Sequence, residues 1–395
     1  MQKKGKIFIM ESQNSAIKIK NLIFSYDKKE FLEINNLEIP AKKITTILGP
    51  SGSGKSTFLN LLAGFLPSKA AIEYSPEFEH FGYIMQKNNL YEEISVKKNL
   101  WISTKNSLKW RKKVWLLSLR EFAKIKNLPD FGKNLTNFFI EKSDSFWKKI
   151  AQKVNFYIFI IKNVKFYYFY IKFCKKQFEI EIKKILKILE IEDIFEKKAA
   201  KISGGQEQRV AFAKSIIKGD NMVLMDEPFS SLDTKIKEAT IKLLLKIKDE
   251  FKMTIILVTH DQNDAMKISD KIILLNKGKI IQFSVPEELF ENPNSLFAAK
   301  FIGFPEINFL EKNAEKNFYI RGKYVKILPS ITKSNGKILY KKNLAENFFY
   351  QIYDIEKNTN LEIVTPIDIT GQKVQIEYDQ SKILAFDKEG NRVRN

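Results

Sequence analysis

Cysteine is nearly absent: Cys174 is the single one in 395 residues. Histidine is almost as rare, with only His80 and His260. These two scarcities exclude a disulfide framework within the chain and a zinc cluster of Cys/His type, and they fit a reducing compartment. Arginine supplies only six of the 67 basic residues. Long apolar runs are missing too. The most lipophilic stretch, 154–174, is broken by Lys162, Lys165 and Lys172, whereas a spanning helix needs about 20 mostly apolar residues. No bilayer crossing is expected. The opening MQKKGKIFIM has only the apolar stretch Ile7 to Met10, too short for a secretory core, so no export signal is expected.

What is present reads as a globular chain of two to three domains: 44% hydrophobic, 13% aromatic and 29% charged over 395 residues. Lys and Arg exceed the 46 acids to give a net charge of +21, which favours an anionic partner: phosphate, nucleic acid or lipid headgroups. The heavy use of Lys, Ile, Asn and Phe also fits an AT-rich coding sequence, so charge sign alone does not choose among them.

The chemistry begins after a strand-like run. Ile44 to Leu48 is β-branched and apolar, and Gly49-Pro50-Ser51-Gly52-Ser53-Gly54-Lys55-Ser56-Thr57 then leads into the helical run Phe58 to Phe65. Strand, glycine loop, helix is the context a phosphate loop requires. Its glycines let backbone N–H groups turn inward around phosphate oxygens, and the helix directs its positive dipole end at them. Lys55 is expected to reach the β- and γ-phosphates of ATP, and Ser56 to hold Mg²⁺.

A second strand-like run, Met222 to Met225, ends in Asp226 and Glu227. Asp226 suits the metal. Glu227, one residue further along an extended chain, points elsewhere and is placed to polarise an attacking water. The segment Ile202-Ser203-Gly204-Gly205-Gln206 lies upstream, with Asp226 following Gly205 by 21 residues. A Ser-Gly-Gly turn opening a helix is another anion-binding N-terminus. One nucleotide rarely needs two such turns from one chain, so the second is expected to serve ATP held by another subunit, which demands a dimer.

In this order the motifs resemble those of the ATP-binding subunits of ATP-binding cassette (ABC) transporters, over roughly 15–102 and 180–300. ISGGQ at 202–206 is similar to the family signature, with Ile202 in place of the usual Leu. The resemblance implies that Gln86, 31 residues after Lys55, senses Mg²⁺ and the membrane subunit, and that SSLD at 230–233, ending in Asp233, is the D-loop. It further implies that His260 contacts the γ-phosphate and that Tyr26 stacks on adenine. Implied partners are a second copy or a paralogous ATPase subunit, two membrane-spanning permease subunits and a substrate-binding protein, with the chain peripheral on the cytoplasmic face of the membrane.

Two regions stand apart. Between Leu100 and Ile202 the family has only a short helical subdomain, so an insertion of some tens of residues is implied. Residues 105–178 hold 18 Lys and Arg against four acids, +14 of the whole chain's +21, and all four tryptophans (Trp101, Trp110, Trp115, Trp147) lie in or beside it. Basic residues interleaved with aromatics suit an anionic membrane surface or a nucleic acid, or simply a helical insertion packing its own core; nucleic acid is not expected. Past Asp270, Pro286, Pro293 and Pro305 bound short helices. Short β-rich runs with turn signals then read as a small β-barrel.

The expected fold is therefore an α/β P-loop NTPase domain at 15–300, carrying a basic aromatic helical insertion at 103–178, followed by a β-rich, barrel-like domain at 301–395. The linker and tail, 301–310 and 371–393, resemble the carbohydrate-uptake class of ABC importers, with the polyamine-uptake class a close second. A non-transport ABC ATPase acting on nucleic acid or ribosomes would use the same ATP site. Such proteins typically pair two cassettes or insert a long coiled coil, and neither a second glycine loop nor sustained heptads occurs in the sequence. A small-molecule kinase would leave ISGGQ and SSLD unexplained.

Overall fold

The computed structural model describes residues 15–26, 29–67, 71–78, 80–85, 90–125, 164–230, 232–329 and 334–394. The chain divides into two compact units, one holding the described residues of Ile17–Glu73 and Ile256–Asn395, the other those of Tyr74–Ile255.

In the first unit the strands β1 (Ser15–Tyr26), β2 (Lys29–Pro40) and β3 (Ile44–Leu48) precede helix α1 (Lys55–Leu62). All five residues of β3 are buried. A strand covered on both faces reads as a continuous apolar run, which is what ITTIL offers. Strand β4 (Ala71–Tyr74) closes this stretch of the first unit, its last residue already in the second; there β5 (Phe81–Ile84) pairs in parallel with β6 (Met222–Asp226), from Phe81 opposite Met222 to Ile84 opposite Met225.

The helices of the second unit are α2 (Val96–Asn106), α3 (Leu108–Ile125), α4 (Val164–Leu189), α5 (Gly204–Lys218) and α6 (Thr234–Phe251). Strand β7 (Thr254–Thr259) is buried throughout. Helices α3 and α4 lie in the basic aromatic stretch, and part of its aromatic content packs its own core. Phe166 meets Trp115 at 5.0 Å and Phe122 at 5.2 Å between ring centroids, both edge to face. Trp101 packs edge to face on Trp110 and Phe178. Trp147 lies outside the described residues.

Back in the first unit, α7 (Gln262–Ile268) leads to β8 (Lys271–Asn276), which pairs in parallel with β3 and antiparallel with β9 (Lys279–Ser284). Helix α8 (Pro286–Glu291) starts with proline at its first turn, where no N–H is needed, and α9 (Leu296–Phe301) follows.

Beyond α9 the β-rich region comprises β10 (Asn308–Lys312), β11 (Lys316–Ile320), β12 (Val325–Pro329), β13 (Gly336–Asn343), β14 (Phe348–Asp354), β15 (Thr359–Thr365), β16 (Lys373–Tyr378), β17 (Leu384–Asp387) and β18 (Arg392–Val393). These strands form two antiparallel sheets, β10-β11-β17-β18 and β12-β16-β13-β14-β15, rather than one continuous ring. The sheets share a core of Leu310, Ile320, Ile327, Tyr350, Ile352 and Val374. Asn308 staples them at one corner: its Nδ2 donates to the Glu362 carbonyl at 3.0 Å and its Oδ1 accepts from the Glu362 N–H at 2.7 Å. A side-chain amide thus satisfies both backbone groups of Glu362 that face the other sheet.

Candidate active site

The glycine loop spans the turn between β3 and α1. Gly49 is required there by close approach, because a Cβ would lie 2.1 Å from the Leu275 carbonyl oxygen. Gly54, the cap residue of α1, has φ of 101°, the left-handed region that glycine enters without steric cost. No side chain caps α1, and its first turn carries no acid. In the described structure Lys55, 7% exposed, folds back so that its Nζ donates to the Pro50 carbonyl at 2.9 Å. Ser53 is buried, and its Oγ finds no hydrogen-bond partner among the described residues. The loop is braced from behind, since the Gly278 N–H donates to the Ser53 carbonyl at 3.1 Å. Ser51 and Gly52 lie exposed at its outer rim, and Ser56 and Thr57 begin the helix.

His260 is exposed immediately after β7. The next residue, Asp261, caps α7 by accepting from the Asn263 and Asp264 N–H groups, which fixes the chain at the histidine. Tyr26 is the last residue of β1, with its side chain outside the description. Gln86 lies outside the described residues altogether.

The second unit holds the remaining motif residues. Asp226 ends β6, half-buried beside Tyr83, whose phenol is pushed up to about 12 by burial and by the Asp226 carboxylate. Glu227 corrects the expectation of an extended chain. Its φ is 45°, so the backbone turns left-handed at the carboxylate. Such a conformation costs about 1–3 kcal/mol in a residue with a side chain and persists only where the surroundings enforce it. Here the Ser230 N–H and Oγ both donate to the Glu227 carbonyl, at 3.3 and 3.0 Å. The buried Gln208 donates from α5 to the Pro228 carbonyl at 2.8 Å. Gln208 went unnoticed in the sequence, where only its place two residues past the signature marks it.

Ser203 caps α5 in a reciprocal box: its Oγ accepts from the Gln206 N–H at 3.4 Å, and Gln206 Oε1 accepts from the Ser203 N–H at 3.1 Å. Gly204 is exposed, and a Cβ there would meet nothing within 4 Å, whereas one on Gly205 would press on Ile236 at 2.9 Å. Asp233 was expected at the nucleotide; its carboxylate caps α6, accepting from the Lys235 and Ile236 N–H groups at 3.1 and 3.0 Å.

Mg²⁺ takes one or two carboxylates together with substrate phosphates rather than an all-protein cage; Ser56 offers a hard oxygen in the first unit and Asp226 one in the second. Among the described residues no group of three His, Cys, Asp or Glu is gathered to hold a metal.

A buried strand ending in a glycine loop, with an uncapped helix behind it and a lysine folded over it, defines a P-loop nucleotide-binding protein. Residues 32–230 match the family model described as ABC transporter. The chain is 31% identical over 331 residues to the spermidine/putrescine import ATP-binding protein PotA of Mycoplasmopsis synoviae, covering 73% of this chain and 71% of that one. It is 29% identical to the protein of the same name from Fusobacterium nucleatum subsp. nucleatum, across 94% and 78% of the two chains. It is also 25% identical to the Fe(3+) ions import ATP-binding protein FbpC of that organism, across 95% and 94%. The chain belongs to the ABC transporter family, as an ATP-binding, ATP-hydrolysing subunit.

Proposed function

We propose that this chain drives an importer: two copies close around two ATP molecules, and opening after hydrolysis resets a separate pair of permease subunits. Each ATP is held by Lys55, Ser56, Asp226, Gln86 and His260 of one copy, with Tyr26 against adenine, and by Ser203, Gly204 and Gly205 of the other. Ser56, Gln86 and Asp226 would hold Mg²⁺, which would supply positive charge to the phosphates. Glu227 takes the proton of the attacking water, and Lys55 and the α1 amides stabilise charge on the leaving phosphates. The observation that carries this reading is the left-handed Glu227, held by Ser230 and, one residue on, by Gln208 of the signature helix. These bonds hold the backbone turn from which the Glu227 side chain starts, and the proposal uses that carboxylate to orient water.

The permease subunits are assigned to an open groove of about 740 Å³ in the second unit, lined by His80, Leu90, Tyr91, Ile102, Lys109 and Lys214 among others. With these partners the subunit sits peripherally on the cytoplasmic face of the membrane, supplied with solute by a binding protein. A polyamine is the solute to try first, because relatives matched over most of this chain carry that name. A sugar or glycerol phosphate, suggested by the linker and tail, comes second. The test is to reconstitute the chain with its membrane subunits and measure which solute accelerates ATP hydrolysis. Stimulation by spermidine alone supports the polyamine reading. Stimulation by a sugar or glycerol phosphodiester alone replaces it, and no hydrolysis at all contradicts the motor itself.

A further inference from the structure

The ATP site and the permease groove leave one face of α4 unexplained. One side of this 26-residue helix packs inward through Phe166, Cys174, Phe178 and Ile182. The other side carries a second apolar stripe. Val164, Tyr167, Tyr168 and Ile171 fall at helical spacings of three, four and seven, and are 67, 42, 63 and 40% exposed. Exposed Lys165, Lys172, Lys175 and Lys176 rim the stripe, and Lys172 Nζ lies 4.8 Å from the Tyr168 ring centroid. No Asp or Glu occurs between Val164 and Phe178.

A helix with one stripe in the core and another in water, bordered only by cations, has the pattern of an element lying in a membrane interface. We propose that this face of α4 docks on anionic lipid headgroups, with Tyr167, Tyr168 and Ile171 entering the acyl boundary and the four lysines reaching the phosphates. Charge decides the occupant. The stripe's rim is lysine alone, which calls for an anionic occupant. A nucleic acid would take the lysines and tyrosines but gains nothing from Val164 and Ile171. Among the described residues no helix is long and apolar enough to cross a membrane, so docking here means lying in the plane. The inference goes beyond the importer reading and does not depend on it, since it requires no permease.

The test uses the full chain without membrane subunits and sedimentation with two kinds of vesicle, pure phosphatidylcholine and one with about 30% phosphatidylglycerol, a charge density at which lysines respond strongly. Binding is expected to the anionic vesicles only and to weaken with added salt. Tyr167→Ser/Tyr168→Ser/Ile171→Ser should lower the partition about tenfold or more, as should replacing Lys165, Lys172, Lys175 and Lys176 by Gln. Both variants change only exposed side chains of α4, and unchanged ATP binding verifies that they are folded. Equal partition onto neutral vesicles, undiminished binding by the triple-serine variant, or tighter binding to single-stranded RNA than to anionic vesicles would each overturn the proposal, as would failure to bind anionic vesicles.

Discussion

Two glycine turns in this chain open helices, and they are finished in opposite ways. At the lysine-bearing loop, α1 begins at Gly54 with no side-chain cap and no acid in its first turn. At the Ser-Gly-Gly turn, α5 begins with a complete capping box between Ser203 and Gln206, and Glu207 stands in the first turn. A helix start needs partners for its first N–H groups. The first has a glycine at its cap position, which offers no side chain to the helix start, and suits a bound phosphate. The second is capped by its own residues and leaves Ser203 and the bare face of Gly204 exposed. In the proposed function one turn holds a nucleotide and the other is pressed against one already held.

The largest effects should separate these roles. Lys55→Ala is expected to weaken ATP affinity by about 100-fold, the cost of losing a charged hydrogen bond to phosphate, as read by equilibrium nucleotide binding. Gly204→Ala should leave the affinity of a single copy unchanged. Glu227→Gln should bind ATP normally yet lose turnover by about 10²–10⁴-fold, measured as phosphate release. Near-normal hydrolysis would remove Glu227 from its role.

Stability sharpens the contrast at a smaller scale. Gly49→Ala places a Cβ 2.1 Å from the Leu275 carbonyl oxygen, and the backbone shift should cost about 1–3 kcal/mol in denaturant unfolding. Gly204→Ala meets nothing within 4 Å and should alter stability by less than about 0.5 kcal/mol. It should nevertheless slow steady-state hydrolysis, because the added methyl stands where the partner's nucleotide must come. Between these two, Ser203→Ala should cost about 1 kcal/mol through loss of the cap, visible as a modest drop in Tm. A loss of ATP binding in that variant would break the comparison, since Ser203 would then serve nucleotide in its own copy.

Legibility differed between the halves in the same way. The lysine loop could be read directly because local order, an apolar strand followed by glycines and a helix, is itself the physical requirement. Asp226 and Glu227 were visible as acids at a strand end, but the turn at Glu227 depends on Ser230 and on Gln208, which lies 19 positions upstream of it. Alternation along a strand carries no information about such a brace. Asp233 shows the reverse. Its motif suggested the nucleotide, while the described structure gives its carboxylate to the amides of Lys235 and Ile236, a capping role that aspartate before a helix performs on local grounds. In the C-terminal region the β-rich runs and turns were readable, but the division into two sheets follows from which distant strands pair, and local pattern carries no such information.

The central claim is that ATP is clasped between the lysine loop of one copy and the Ser-Gly-Gly turn of another. Its most direct test is the solution mass of the Glu227→Gln chain, loaded with ATP and Mg²⁺, by analytical ultracentrifugation. The account predicts a dimer that forms with ATP and falls apart without it. A chain that binds ATP fully yet remains monomeric, alone and with its permease subunits, would contradict it.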